Sequence, residues 1–263
     1  MQNDDTLLTE LDGPIAWLTI NRPDKHNALT QAMWARLPEL LDELSSNPKV
    51  RVIVIRGAGE KCFSAGADIS EFLERAESGV ADEEGLSPTS NAFDAIADCP
   101  TPTISMIHGH CFGGGCAIAL ATDIRIASED ARFAITPARL GLGYPFNGIE
   151  RAVQELGAAH ARYLLLTANH LNAQDALRIG LAHEIHPSDE LESATRKIAD
   201  TIASNAPKTI RAIRNSITQT QLTPESRDMD LIESLIRDCA TSEDYQEGVR
   251  AFMEKRKPEF NDR

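Results

Sequence analysis

Three consecutive glycines, Gly113 to Gly115, join a strand-like segment to a helical apolar pattern that runs to about Ala121. A backbone without side chains lets a ligand approach the main chain, and the first N–H groups of a helix have no partner within that helix. These N–H groups and the helix dipole favour negative charge. The triplet therefore indicates a candidate anion or oxyanion site, although many tight turns also contain glycines.

A second junction of the same kind strengthens this interpretation. The sequence KCFSAGADISEF, residues 61–72, follows another strand-like segment, and its small residues Ser64 to Asp68 lie where the chain turns into a helix. Two such loops, each after a strand, can direct two N–H donors at one oxygen. This arrangement stabilises an enolate or a tetrahedral oxyanion, and loss of one donor costs roughly 3 kcal/mol of barrier.

Motifs for other chemistries do not fit the sequence. There is no Walker motif and no G-x-S-x-G elbow, and residues 141–148 miss the G-x-G-x-x-G spacing. The histidines of HGH, residues 108–110, have no carboxylate partner at a recognisable spacing, so we interpret them as structural or pocket-lining and predict no metal site. The five cysteines form no CxxC pair, and Cys116 fits a buried apolar position better than a nucleophile.

Composition narrows the class of partner. The 263 residues carry a formal charge of -14, which disfavours binding to nucleic acid and to anionic membranes. Aromatic residues make up 5% of the chain, too few for a base-stacking surface. A basic, apolar signal sequence and a membrane-spanning apolar run are both absent from the sequence, so we predict a cytoplasmic protein without a membrane partner.

The elements that must position the two loops alternate along the first half of the chain. A helix begins after Thr30, a plausible N-cap, and contains Pro38. Alternating strands and helices predict right-handed βαβ crossovers and a mainly parallel sheet. Strands are predicted at residues 15–20, 50–57, 102–109 and 123–128. The polar, acidic residues 74–90 are predicted to be a loop or a poorly ordered helix, either a solvated insertion or a mobile wall over a pocket.

After about residue 148 the pattern becomes almost wholly helical. Predicted helices begin at the caps Asn172 and Thr223, and Thr241 has capping-box spacing with Asp244. The last helix is amphipathic, and its apolar face packs either on its own domain or on a neighbouring subunit. That face contains Tyr245, Val249 and Phe252.

Four linked motifs resemble the crotonase, or enoyl-CoA hydratase/isomerase, superfamily from about residue 7 to the C-terminus. They are NRPDKHNALT at 21–30, CFSAGADI at 62–69, GHCFGGGC at 109–116 and EGVRAFMEKRKPEF at 247–260. The resemblance implies an α/β fold, with a crotonase-like spiral of ββα units in residues 1–200 and a helical trimerisation region in residues 201–263. It also implies an acyl-CoA thioester as substrate and a homotrimer or dimer of trimers. Coenzyme A enters as part of the substrate, and no permanently bound cofactor is expected.

The resemblance also implies which residues form the site. The family's oxyanion donors correspond to the backbone N–H groups of Ala67 and Gly114. Its CoA and substrate contacts correspond to Lys25, His26, Ala28, Ala65, Asp68, Ile69, Gly113 and Pro137. Lys25 can meet a CoA phosphate in an otherwise acidic protein. In some members the terminal helix closes the CoA site, and the corresponding residues are Phe252 and Lys255; simple packing and a surface charge are the competing interpretation.

Two positions depart from the hydratases of this family. Those enzymes use two glutamates, and this chain has Ala117 and Ala138 at the corresponding places. Addition of water needs a base and an acid, each worth about 10²–10⁴-fold in rate, and methyl groups supply neither. Decarboxylation of a malonyl-type CoA needs no base, because loss of CO₂ generates the enolate directly.

Two segments together, FAITPARLGLGYPFNGI at residues 133–149 and TSEDYQEGVRAFMEKRKPEF at residues 241–260, are similar to methylmalonyl-CoA decarboxylase. Tyr144 corresponds to the tyrosine in the acyl pocket of those enzymes, so we predict that it orients the substrate or donates a proton; packing beside Pro145 is the alternative. Against this similarity, those decarboxylases can carry His where this chain has Ala67.

The sequence therefore predicts an acyl-CoA lyase or isomerase that stabilises a thioester enolate, with decarboxylation or isomerisation as the leading reactions. Isomerisation needs a group that shuttles a proton. Acids near the motifs in sequence are Asp68, Glu71, Asp94 and Glu150. Enoyl-CoA hydration with a substitute acid and base, and non-catalytic binding of acyl-CoA, are the alternatives.

Overall fold

The structure is a computed structural model that describes residues 5–71 and 86–261. Most of the acidic segment 74–90 lies outside these ranges. Its last five residues, 86–90, are not a loop but the beginning of a helix.

Three successive repeats each contribute one strand to each of two sheets and then continue into a helix. The larger sheet contains, in spatial order, β1 (Leu7–Asp12), β2 (Ile15–Ile20), β3 (Val52–Gly57), β5 (Thr103–Ile107), β7 (Ile124–Ser128) and β10 (Glu184–His186). The smaller sheet contains β4 (Cys62–Ser64), β6 (His110–Phe112), β8 (Arg132–Ala134) and β9 (Leu171–Asn172). The repeats are therefore β3–β4, β5–β6 and β7–β8, which is the predicted spiral of ββα units.

Most neighbouring strands are parallel, as predicted; β1–β2 and β8–β9 are antiparallel. The four predicted strands are present, with the last three beginning one or two residues later than expected. Central strands such as β3 are apolar at consecutive positions because helices cover both faces of the sheet. Ile53 and Ile55 pack into one buried cluster with helix residues 31–46, whereas Val52 and Val54 pack into a second cluster with residues 191–203.

Ten α-helices connect and cover the sheets in the part of the chain that the structure describes. They are α1 (Gln31–Ser46), α2 (Leu86–Ala97), α3 (Gly114–Ala121), α4 (Pro137–Leu140), α5 (Phe146–Thr167), α6 (Ala173–Arg178), α7 (Leu191–Ala203), α8 (Pro207–Thr220), α9 (Met229–Ala240) and α10 (Glu243–Glu254). Thr30 caps α1 as predicted, because its hydroxyl accepts from the Met33 N–H, and the helix continues through Pro38. Asn172 caps α6, also as predicted. The helix α5 is kinked at Gly157.

Two predicted helix starts near the C-terminus were wrong. Thr223 begins only a single 3-10 turn, because Arg227 is extended and interrupts the helical path; Asp228 then caps α9 by accepting from the Leu231 N–H. Thr241 ends α9, so the next residue, Ser242, caps α10 in its place. At Thr241 the predicted and observed caps differ because α9 and α10 follow each other almost without a linker.

Candidate active site

The loops that follow β4, β6 and β8 occupy equivalent positions in the three repeats. Since β4–β6 and β6–β8 are parallel neighbours, the carboxyl ends of these strands lie side by side. The Gly113 N–H donates to the Ala134 carbonyl over 2.8 Å and links the second loop to the third. The loops after β4 and β6, which contain the two glycine-rich junctions, are thus adjacent in space.

Gly66 and Gly114 bring the first two loops into direct contact. A Cβ atom on Gly66 would lie 2.5 Å from the Gly114 nitrogen, and Gly66 has a φ of +91°, which favours glycine. A Cβ atom on Gly114 would lie 3.0 Å from the ring of Trp34 and 3.3 Å from the Gly66 Cα. The main chain at Gly114 is therefore held between Gly66 and Trp34.

The N–H groups of Ala67 and Gly114 have no backbone acceptor among the described residues. Ala67 forms a parallel β-bridge with Leu29. The Leu29 N–H donates to the Gly66 carbonyl at 2.8 Å, and the Leu29 carbonyl accepts from the Asp68 N–H at 2.9 Å. The N–H of Ala67 consequently faces away from Leu29. Gly114 is the first residue of α3, where a helical N–H has no acceptor within the helix.

A cavity of about 100 Å³ lies between the three loops and α2. We call it the acyl cavity. The sequence-predicted residues that line it are Ala65, Ala67, Ile69, Gly113, Gly114, Pro137 and Tyr144. Sequence reasoning did not indicate the others: Thr89, Phe93, Thr136, Leu140, Leu142, Gly143 and Pro145. Thr89 and Phe93 are four residues apart on α2 and therefore share one face of that helix.

Tyr144 has a buried hydroxyl with no hydrogen-bond partner among the described residues. Its ring packs closely against Gly148, where a Cβ atom would lie 2.8 Å from the ring. Burial raises the pKa of the Tyr144 phenol well above its usual value, and the nearby thiols of Cys116 and Cys111 raise it further. The hydroxyl therefore keeps its proton at neutral pH and is a weaker acid than an ordinary phenol.

None of the four acids considered from the sequence lines the acyl cavity. Asp68 pairs with Arg22 at 2.8 Å, and hydrogen bonds from Ser70 and Arg22 hold the pKa of its carboxyl below the usual value. Glu71 accepts from the Gln31 N–H, Asp94 accepts from Asn147, and Glu150 is exposed.

The two positions that carry glutamate in hydratases also lie outside the cavity wall. Ala117 is buried within α3, and Ala138 is exposed on α4. Side chains at both positions end at a methyl group, so neither reaches the cavity with an acid or a base.

Sequence and structure comparisons agree with this architecture. The family model for enoyl-CoA hydratase/isomerase matches residues 10–263. The chain belongs to the enoyl-CoA hydratase/isomerase family. It is thus related to enzymes that process acyl-CoA thioesters.

Relatives within the enoyl-CoA hydratase/isomerase family include enzymes of different reaction types. The chain is 33% identical to a short-chain-enoyl-CoA hydratase from Clostridium acetobutylicum, covering 96% of each chain. It is 32% identical to the methylmalonyl-CoA decarboxylase of Escherichia coli, covering 94% of each chain. A family member from Hyphomonas neptunium has a similar solved structure, with a TM-score of 0.90, 34% identity and 97% coverage of each chain.

Within this chain, the first motif (residues 21–30) lies beside the second (residues 62–69). The Ala65 N–H donates to the His26 carbonyl at 2.9 Å, and Arg22 joins the motifs by donating to the Ala28 carbonyl and to Asp68. Lys25 and His26 are exposed, whereas Ala28 is buried. Arg22 was not among the predicted site residues, although it holds together the two segments that were.

The last two predicted CoA contacts are not brought to the acyl cavity within one chain. Phe252 lies on α10 and is 83% exposed, and Lys255 ends that helix in a left-handed conformation. Phe252 lines a separate hollow between α8, α9 and α10. We call this hollow the C-terminal groove; its exposed apolar residues are Ile213, Ile236, Tyr245, Val249, Phe252 and Met253.

The Cys116 thiol and the His110 ring make contacts within the fold. All five cysteines are free thiols, and buried Cys116 donates from Sγ to the Cys111 carbonyl at 2.7 Å. The ring of His110 stacks on that of Phe112. Within residues 5–71 and 86–261 there is no cluster of three or more potential ligands for a metal ion, and none of the helices described there could span a membrane.

Proposed function

We propose that this protein decarboxylates a malonyl-type CoA thioester, with the N–H groups of Ala67 and Gly114 binding the thioester oxygen as the enolate forms. The composition of the acyl cavity carries this proposal. Among the described residues that line the cavity, there is no carboxylate and no imidazole. Reactions that remove a proton or activate water need such a base, whereas loss of CO₂ does not.

In the proposed step, the bond between the α-carbon and the carboxylate carbon breaks. Its electron pair passes into the thioester as an enolate, CO₂ leaves, and the α-carbon then takes up one proton. Two N–H donors directed at the oxygen lower the barrier because they bind the charge where it develops, each worth about 3 kcal/mol. The largely apolar wall also favours neutral CO₂ over the ionised carboxylate of the substrate.

Tyr144 is the proposed substrate-orienting hydroxyl or proton donor. Tyr144 lines the acyl cavity, and its buried oxygen has no partner among the described residues. The phenol is protonated at neutral pH, as both roles require, and its raised pKa favours the orienting role over transfer of the proton. Water restores the proton after turnover.

Coenzyme A binding is proposed to use the exposed surface around the first motif. Lys25 and His26 are exposed there and can meet CoA phosphates despite the chain's formal charge of -14. We further propose a homotrimer or a dimer of trimers in the cytoplasm, in which Phe252 and Lys255 of one subunit close the CoA site of its neighbour. The exposed C-terminal groove and the free thiols support these assignments.

Hydration of an enoyl-CoA is the second candidate, favoured by relatives that are named hydratases. It requires an acid and a base at Ala117 and Ala138 or elsewhere, and the four acids considered above lie outside the acyl cavity. Isomerisation of a double bond shares the enolate but needs a group that shuttles a proton. Decarboxylation is therefore preferred.

The test compares two reactions in the purified protein. We expect CO₂ release from methylmalonyl-CoA or ethylmalonyl-CoA, and hydration of crotonyl-CoA slower by at least about 100-fold. Replacing the phenol in Tyr144→Phe should lower kcat for decarboxylation by about 100-fold, the contribution typical of a proton donor.

Tyr163→Phe is the matched control, because Tyr163 is exposed on α5 and does not line the acyl cavity. It should keep the wild-type kcat. Hydration that outpaces decarboxylation would show that an acid–base pair serves the cavity. Tight binding of acyl-CoA without turnover of any of these substrates would identify a binding protein.

A further inference from the structure

The wall that α2 contributes to the acyl cavity indicates which acyl groups fit. Building on the proposed function, we infer that Phe93 closes the cavity at the length of a short acyl group and selects short-chain acyl-CoA esters. Phe93 lines the cavity and is only 4% exposed. Thr89, one turn earlier on α2, lines the same wall.

The volume of the acyl cavity limits the length of the acyl group that it can hold. Its volume is about 100 Å³. Pockets that enclose drug-sized ligands are larger, about 300–1,000 Å³. A cavity well below this range fits a short acyl group and leaves a longer chain without a place inside.

Phe93 cannot turn away easily, because a second ring supports it. The rings of Phe93 and Trp34 meet edge to face, with centroids 5.6 Å apart and planes at 90°. Trp34 is fully buried, and its ring also lies against the main chain at Gly114. A rotation of Phe93 into the space of Trp34 would therefore push on the loop that carries the Gly114 N–H.

Another part of the wall is equally fixed. The ring of Tyr144 lies against Gly148 and packs on the hydrophobic core, so it has no room to retreat. Ile69 and Leu140 line the cavity but are 53% and 57% exposed, which marks the open side. A thioester that enters from this side meets Phe93 and Tyr144 as closed walls.

Binding of saturated acyl-CoA esters tests the inference without requiring turnover. Acetyl-, propionyl-, butyryl-, hexanoyl- and octanoyl-CoA are titrated into the full chain by calorimetry. Each buried methylene should tighten binding about fourfold up to about butyryl-CoA, and longer chains should gain nothing or lose affinity. Phe93→Ala should extend the gain to longer chains and bind octanoyl-CoA about tenfold more tightly than the wild type does.

Phe146→Ala is the matched control, since Phe146 is 77% exposed and does not line the cavity; its chain-length profile should equal that of the wild type. Phe93→Leu provides a smaller apolar side chain if Phe93→Ala does not fold. The inference is overturned if wild-type affinity keeps rising to octanoyl-CoA, or if the folded Phe93 variants keep the wild-type profile. It survives, and decarboxylation alone fails, if the profile is as expected but no malonyl-type ester releases CO₂. Failure to bind any acyl-CoA overturns both.

Discussion

The acyl cavity and the C-terminal groove are opposites in size and exposure. The groove has a volume of about 750 Å³ and exposes side chains such as Phe252 and Met253, whereas the cavity has about 100 Å³ and is lined by the buried ring of Phe93 and the half-buried ring of Tyr144. Beside the cavity, the main-chain N–H groups of Ala67 and Gly114 have no backbone acceptor among the described residues. An exposed apolar surface of the groove's kind is typical of contact with another protein. The smaller hollow is thus the better candidate for chemistry.

The largest expected effect on activity comes from a glycine substitution beside the acyl cavity. Gly66→Ala places a Cβ atom 2.5 Å from the Gly114 nitrogen, at a φ of +91°. The two loops must separate, so we expect a loss of about 10²–10³-fold in kcat/KM. Backbone strain should also reduce the free energy of unfolding by about 1–3 kcal/mol. Steady-state kinetics and urea unfolding measure these effects.

Gly13→Ala is the control that separates the effect of backbone strain from the effect of pushing the two loops apart. Gly13 also has a positive φ, +59°, but a Cβ atom there would have no neighbour within 4 Å. This variant should lose stability without losing activity. If Gly66→Ala behaves in the same way, contact between the loops is not what organises the cavity.

Charge in the C-terminal groove should have a smaller effect on turnover and a clear effect on assembly. We expect the wild type to have three or six times the 28.7 kDa mass of one chain, and Phe252→Glu to reduce this mass by burying a charge at the subunit contact. If the neighbouring α10 closes the CoA site, KM should rise by about tenfold, or about 1.4 kcal/mol. Light scattering and kinetics measure both.

Leu11→Glu is the control for assembly, because Leu11 is 52% exposed on β1 and does not line the groove. Its mass should equal that of the wild type. A monomeric wild-type protein would show that the groove is not a subunit contact.

The smallest expected effect comes from a glycine in the groove. Gly248 lies inside α10, and a Cβ atom there would lie 3.5 Å from the Phe260 ring, an ordinary contact. Gly248→Ala should therefore raise the free energy of unfolding by up to about 1 kcal/mol, since alanine favours a helix, and leave kcat unchanged. Thermal unfolding measures this change in stability. A lower stability of the variant would show that the Phe260 ring cannot adjust to the added methyl group.

Local sequence patterns predicted much of the fold and the loops of the candidate site. Gly113 to Gly115 stand out in the sequence as a triplet at a strand-to-helix junction, but the atoms that exclude a side chain there belong to Ser64, Gly66 and Trp34, which are distant in sequence. Thr30 and Asn172 cap their helices by accepting from N–H groups three residues later, so the local sequence is enough to predict them. The family resemblance then supplied the spiral of ββα units, which spacing alone does not specify.

The cavity wall from α2 could not be predicted because it depends on packing between distant elements. Phe93 and Thr89 belong to an ordinary amphipathic helix, and their positions follow from how α2 packs between α1 and α3. Arg22 was missed because its role, joining Ala28 to Asp68, appears only when two motifs come together. The caps at Thr223 and Thr241 were misassigned because both residues fit a local pattern that the following residues override.

Both sheets contain their strands in the order in which the ribosome makes them. Each new strand therefore docks at an open edge, and none has to be inserted between two strands that are already paired. At a synthesis rate of about 5–20 residues per second, the nascent chain waits only seconds for the next strand. Until then, an apolar strand such as β3 presents unpaired N–H and C=O groups, so slow translation of the following repeat would leave the growing chain open to aggregation.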